Sequence, residues 1–274
     1  MTYIPLKVRI KLILKKIMPT ALFSLIVKLW RATFSKLSSG SDMDIVAKYT
    51  KEFLNKHGYN VVGGPFQGLS YVSEAAGSSY LIKLIGVYEE ILHETIKKVM
   101  GRGYTTMIDI GCAEGYYLIG IGKKSPQTKL IGYDIDEKAL ALTEELYTKN
   151  HLTNELLLLP NCTPEDLQTR IDEKTFLMCD AEGFEAEILN PHKTPALSRV
   201  QTFLVELHDF AVPHVKELLT ERFEKTHNIR VIVFKNGNPE HYPFLMNIKN
   251  KHHLYTLLRE RGEQEQEWLV MERK

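Results

Sequence analysis

Two sets of residues in this 274-residue chain have the types and spacing to do chemistry. One is Asp109, Gly111, Gly115 and Asp134, inside the stretch 107–136, MIDIGCAEGYYLIGIGKKSPQTKLIGYDID. It reads as an apolar strand, a glycine-punctuated turn, the start of an apolar helix and a second apolar strand ending in acid, which is half of a nucleotide-binding βαβ unit. The other set is Asp180, Glu206 and His208, each falling at the end of an expected strand. A histidine, with an unperturbed pKa of about 6.5, beside carboxylates is suited to take the proton from an acceptor oxygen. The alternative is that Asp180, Glu182, Glu206 and His208 converge on one divalent ion that acidifies that oxygen. The expectation is His208 and Asp180 as the catalytic pair, Glu206 in support, and no metal.

The glycine spacing decides the nucleotide. A dinucleotide fold requires Gly-x-Gly-x-x-Gly, but counting from Gly111 the second and third glycine places are held by Ala113 and Tyr116. What stands instead, Asp109-x-Gly111-x-x-x-Gly115, resembles the first motif of the class I S-adenosylmethionine-dependent methyltransferases. The resemblance implies S-adenosylmethionine as cofactor. Asp109 has the charge to hold its ammonium group, and Gly111, Cys112, Ala113 and Gly115 form the turn against its methionine part. Asp134 and Ile135, at the end of the second strand, are placed for the ribose hydroxyls. Asn161 and Cys162, after the third strand, are placed for the adenine edge, and Asp180, at the end of the fourth, is counted with the cofactor-binding residues.

The elements that must position these residues follow in order. A polar hinge at 36–42, KLSSGSD, separates a basic segment from the rest. Three units are expected: a basic amphipathic helical segment (1–41), a helical cap region (42–104) and a methyltransferase core (105–274). Residues 78–103 read as one helical stripe ending at Gly101, placed to cover a cofactor, with Tyr88, Glu89 and Glu90 either lining the cleft or, the commoner outcome, standing as solvated residues of the helix face. Strands are expected at 107–110, 129–133, 155–159, 175–179, 200–207, 229–234 and 267–271. The strand–helix alternation, closed by two strands with no helix between them, predicts an α/β fold: a Rossmann-like seven-stranded methyltransferase sheet, the last strand antiparallel, with an N-terminal helical extension.

Charge narrows the partners. Residues 1–41 hold eight Lys or Arg and no Asp or Glu, leaving 27 of the 35 basic residues against all 34 acidic ones, a net of −7. A body of that sign is a poor match for a phosphate backbone, so no nucleic-acid partner is expected. Residues 3–36 read as helices split at Pro19. The apolar second piece is shorter than the ~20 residues a bilayer crossing needs. It can lie on an anionic membrane surface, or pack on the domain or a second subunit as a homo-oligomer contact. Three cysteines without metal spacing and the lack of a secretory pattern suit a cytoplasmic protein; the membrane-surface alternative would put it at the inner face.

The segment 179–189, CDAEGFEAEIL, resembles the Asp-x-Glu-Gly-x-Glu signature of FkbM-type methyltransferases, and 150–158, NHLTNELLL, is similar to the segment entering their third strand. This resemblance covers roughly residues 105–210. It implies O-methylation of a hydroxyl on a saccharide, a glycolipid precursor or a small molecule. Where that family often carries Phe-Glu-Pro after the second strand, this chain has Tyr133-Asp134-Ile135-Asp136. Two other functions are compatible with the residues: N-methyl transfer, and a catalytically silent adenosylmethionine-binding scaffold.

Overall fold

Seven strands form one sheet, whose central members are short, nearly unbroken apolar runs suited to burial on both faces, while the edge strand His227–Val233 is largely exposed. The computed structural model describes residues 40–76, 78–209, 213–260 and 266–274. The expectations for residues 1–36, on membrane, packing and oligomer alike, lie outside the described residues. In chain order the elements are α1 (Gly40–His57), α2 (Tyr80–Ile85), α3 (His93–Gly101), β1 (Thr106–Ile110), α4 (Tyr116–Lys124), β2 (Lys129–Tyr133), α5 (Glu137–Lys149), β3 (Leu156–Leu159), α6 (Pro164–Arg170), β4 (Thr175–Cys179), α7 (Glu185–Ile188), β5 (Thr202–Leu207), α8 (Val215–Phe223), β6 (His227–Val233), α9 (Pro243–Met246), α10 (Lys251–Leu258) and β7 (Glu267–Arg273).

The strand order is β3-β2-β1-β4-β5-β7-β6. The first five strands are mutually parallel, and β7 runs antiparallel to both β5 and β6. This is the expected seven-stranded, Rossmann-like sheet with its last strand antiparallel. The order reverses between β1 and β4, so the carboxyl ends of β1, β2, β4 and β5 open onto one crevice, the place where such sheets bind ligands.

Strand alternation sorts side chains onto two cores. Met107, Phe176, Met178, Leu204 and Val270 join Phe53, Leu81, Ile96, Leu118 and Trp268 on one face, under α1 to α5 and α10. Ile108, Leu177, Phe203, Val205 and Leu269 join Leu167, Leu219 and Phe223 on the other. The odd-even rule puts Asp109 on the first face with Met107, and it carries Asp180 and Glu206 there from Met178 and Leu204.

Two expectations about the elements are corrected. Residues 78–103 are not one helix. Gly86 takes φ +87° after α2, Glu89 is left-handed at φ +47°, and a short 3-10 turn over Glu90–Leu92 precedes α3. The break is steric: a Cβ on Gly86 would stand 2.1 Å from the carbonyl oxygen of Gly63, so the chain must turn where the two loops cross. The polar insertion between β6 and β7 is not helix-free either, since it carries α9 and α10. It docks on the 86–92 turn, where Glu90 accepts from the Asn238 amide (2.6 Å), His241 Nδ1 (2.8 Å) and the Tyr242 hydroxyl (3.1 Å).

Candidate functional site

At the carboxyl edge of β1 the chain turns sharply between Gly111 and Gly115. Gly111 has φ +85°, and a Cβ there would come within 1.9 Å of the Asp180 carbonyl oxygen, so the loops after β1 and β4 touch backbone to backbone. At Gly115 (φ +84°) a Cβ would meet Thr143 of α5 at 2.7 Å. Between them Ala113 is also left-handed, at φ +48°. Its N–H donates to Asp134 Oδ2 at 2.9 Å, and its carbonyl accepts from the Thr143 hydroxyl at 2.9 Å. The Asp136 amide donates to the other oxygen, Asp134 Oδ1, at 2.8 Å. The acid at the end of β2 thus fixes the glycine turn.

Beneath the turn Asp109 is buried, and its carboxyl is pushed up to about 8. Burial is the main cause, followed by the charges of Asp180 and Asp134, with Lys83 opposing them. Three carboxylates therefore crowd one edge of the sheet. Cys112 turns its side chain into the core beside Gly132, so what it offers a ligand is backbone. Ile135 and Asn161 are exposed, and half-buried Cys162 packs on the second core, its thiol pushed up to about 12 by burial and Asp166.

A second buried group supports the turn and was not foreseen. Glu114, fully buried, accepts from Lys83 Nζ (2.5 Å), the Tyr71 hydroxyl (2.5 Å) and the Ala76 amide (2.9 Å). Burial alone would raise its carboxyl, but Lys83, Tyr71 and the amide hold it below its ordinary value. Lys83 also lies over the rings of Tyr88 (4.8 Å) and Tyr116 (5.3 Å). A lysine in the apolar run YLIKLI and a glutamate inside a glycine turn were the available signals. Glu89, for which a solvated helix-face position was the commoner expectation, is buried and takes a hydrogen bond from the Tyr117 hydroxyl.

The other half of the crevice lies at the ends of β4 and β5. Here the residue left without a role, Glu185, is the anchor. It is fully buried at the start of α7, and its Oε1 accepts from the Ala181 and Gly183 amides (3.1 Å each) and from His208 Nδ1 (2.8 Å). That leaves His208 Nε2 facing Asp180 Oδ1 at 3.6 Å and Glu182 Oε2 at 3.8 Å. Burial lowers the affinity of His208 for a proton, but Glu185, Asp180 and Glu182 together raise it above the ordinary value. Glu182 is held left-handed at φ +52°, next to Gly183 at φ +100°. The structure thus brings His208 and Asp180 together. Glu206 sits fully buried in β5, opposite Trp268 of β7.

No family model matches the chain, and no curated protein matches it. Solved structures do. The human methyltransferase 10 domain containing protein is 12% identical with a TM-score of 0.48, covering 84% of this chain and 96% of that one. A delta-N METTL16 MTase domain is 14% identical with a TM-score of 0.49 over the same shares. Precorrin-6y C5,15-methyltransferase from Geobacter metallireducens GS-15 is 12% identical with a TM-score of 0.44, covering 66% and 89%. None of these likenesses bears on substrate or cofactor. No helix among the described residues is long and apolar enough to cross a membrane.

Proposed function

We propose that the chain is an S-adenosylmethionine-dependent methyltransferase that methylates a hydroxyl of a saccharide, glycolipid precursor or small molecule. The observation that carries the cofactor is the convergence of Asp109, Asp134 and Asp180 on a glycine turn, with burial and mutual repulsion holding a proton on Asp109. Such an edge repels the pyrophosphate of a dinucleotide and attracts a ligand with a sulfonium and an ammonium group. The bound ligand would supply an electrophilic methyl group. Asp109 would hold the ammonium, Asp134 the ribose diol, and the backbone of the Gly111 turn would lie against the methionine part. On the acceptor side Glu185 fixes the imidazole of His208, so Nε2 is the atom presented to the crevice between Asp180 and Glu182. A hydroxyl acceptor is supported by the Asp-x-Glu-Gly-x-Glu segment, whose last acid is this anchor. The acidic net charge of residues 42–274 supports an acceptor other than nucleic acid.

Incubation with S-adenosylmethionine and a panel of sugar nucleotides and lipid-linked saccharides, read by mass spectrometry, tests the reading. A gain of one methyl on an acceptor oxygen is the expected result. Methylation of an amine would establish N-methyl transfer instead, and cofactor binding with no acceptor turned over across the panel would favour the silent scaffold.

A further inference from the structure

The geometry points to a divalent-cation site formed by Asp180 Oδ1, Glu182 Oε2 and His208 Nε2, a site that would grip an acceptor through two neighbouring oxygens. It rests on the methyltransferase reading for the acceptor's fate, though not for the cation. The three ligand atoms lie within 4.8 Å of one another. Nε2 is 3.6 Å from one carboxylate oxygen and 3.8 Å from the other, beyond the ~2.7–3.2 Å of an N–H···O hydrogen bond. Ligands of one ion, each at about 2.0–2.2 Å from it, stand about 3.0–3.7 Å apart for bond angles of 90–120°. The two separations from Nε2 are therefore too wide for direct hydrogen bonds and close to those of ligands on a shared cation.

Two further observations point the same way. Asp180 Oδ1 is buried and accepts no hydrogen bond among the described residues, an arrangement that is unfavourable unless a ligand completes it. Behind the histidine, the fully buried Glu185 carboxylate accepts from Nδ1 at 2.8 Å and is itself braced by two backbone amides. A carboxylate behind the far nitrogen is the arrangement that fixes the tautomer and raises the basicity of a metal-bound imidazole. One imidazole and two carboxylates suit a first-row ion such as Mn²⁺ or Zn²⁺ better than a soft one. Asp180 and Glu182 are about one-third exposed, so the side of the site away from the buried His208 opens to the crevice. Two adjacent oxygens, a vicinal diol or a hydroxyl beside a carboxylate, would complete the coordination there. That would bring the hydroxyl to be methylated to the edge where the Gly111 turn meets Asp180.

The test is Mn²⁺ binding to the chelator-treated full chain, followed by electron paramagnetic resonance and calorimetry, with adenosylhomocysteine binding measured on the same samples. One Mn²⁺ per chain is expected. Glu182→Gln and His208→Gln should each weaken it at least 100-fold, and Glu185→Gln by about 10–100-fold through loss of the outer support. Glu182→Gln should keep adenosylhomocysteine affinity and its melting temperature, which separates loss of the site from loss of the fold. Absence of stoichiometric Mn²⁺ at millimolar concentration, or equal binding in wild type and Glu182→Gln, overturns the cation site. Mn²⁺ binding that depends on His208 without adenosylhomocysteine binding would leave the cation site standing and sink the methyltransferase reading.

Discussion

The two halves of the crevice are built differently. At the ends of β1 and β2, both oxygens of Asp134 take backbone amides, Glu114 takes a lysine, a tyrosine and an amide, and the glycine turn is locked by contacts a Cβ would break. At the ends of β4 and β5, one buried carboxylate anchors one imidazole, and the two carboxylates beyond it stand 3.6 and 3.8 Å from its Nε2. A site for an invariant cofactor gains from being preformed, because rigidity removes the entropic cost of ordering it on binding. The acceptor half presents groups whose spacing makes sense once something lies between them.

The sharpest way to break this contrast is at the acceptor half. His208→Ala should lower turnover by about 10²–10⁴, the several kcal/mol that acceptor activation supplies, while adenosylhomocysteine affinity stays near wild type. Equal loss of both would mean the halves are one unit. Next comes the cofactor half: Lys83→Met leaves Glu114 buried without its cation and should cost about 3–5 kcal/mol in a denaturant melt. The double variant Lys83→Met/Glu114→Leu should recover much of it. Asp134→Ala should weaken adenosylhomocysteine by about 1.5–3 kcal/mol in calorimetry, more if the Ala113 turn relaxes with it, and, unlike Glu182→Gln, lower the melting temperature.

The smallest effect is a pH slope. Asp109, raised to about 8, carries a proton at neutral pH until a cation arrives. Binding a cation favours the ionised form, so affinity for S-adenosylmethionine should rise as pH approaches about 8, by at most about tenfold per unit, then level off. The ligand-free fold has the opposite sign. Its carboxyl binds a proton more tightly folded than unfolded, so stability falls from the ordinary value of 3.8 up to about 8. Asp109→Asn should flatten both curves in calorimetry and thermal melts.

Strands β1, β2 and β4 were legible because a buried parallel strand must be a continuous apolar run, and TMIDI, KLIGY and TFLMC are such runs. Gly111, Asp134, Asp180 and His208 were legible because turns and strand ends are marked by residue type. The break at Gly86 was not, since the cause is the carbonyl of Gly63, some twenty residues earlier, and periodicity holds no record of it. Glu114 and Lys83 were missed for the same reason: each looks like a surface charge until its partner, from another element, is seen to bury it. Glu185 was visible as a motif letter, but its task depends on where β5 delivers His208. The glycine at 111 also changes meaning. It was expected in the turn against the methionine part of a ligand, and the Asp180 carbonyl 1.9 Å from its missing Cβ makes it a requirement of the fold as well.

The central claim, a preformed site for a cationic nucleoside ligand, is tested most directly by thermal melts of the full chain with S-adenosylmethionine, adenosylhomocysteine or NAD. Both adenosyl ligands should raise the melting temperature with increasing concentration, approaching about 2.7 kcal/mol of stabilisation at a hundred times the dissociation constant, and NAD should do nothing. A flat response to both adenosyl ligands at millimolar concentration, or an equal shift with NAD, would contradict it.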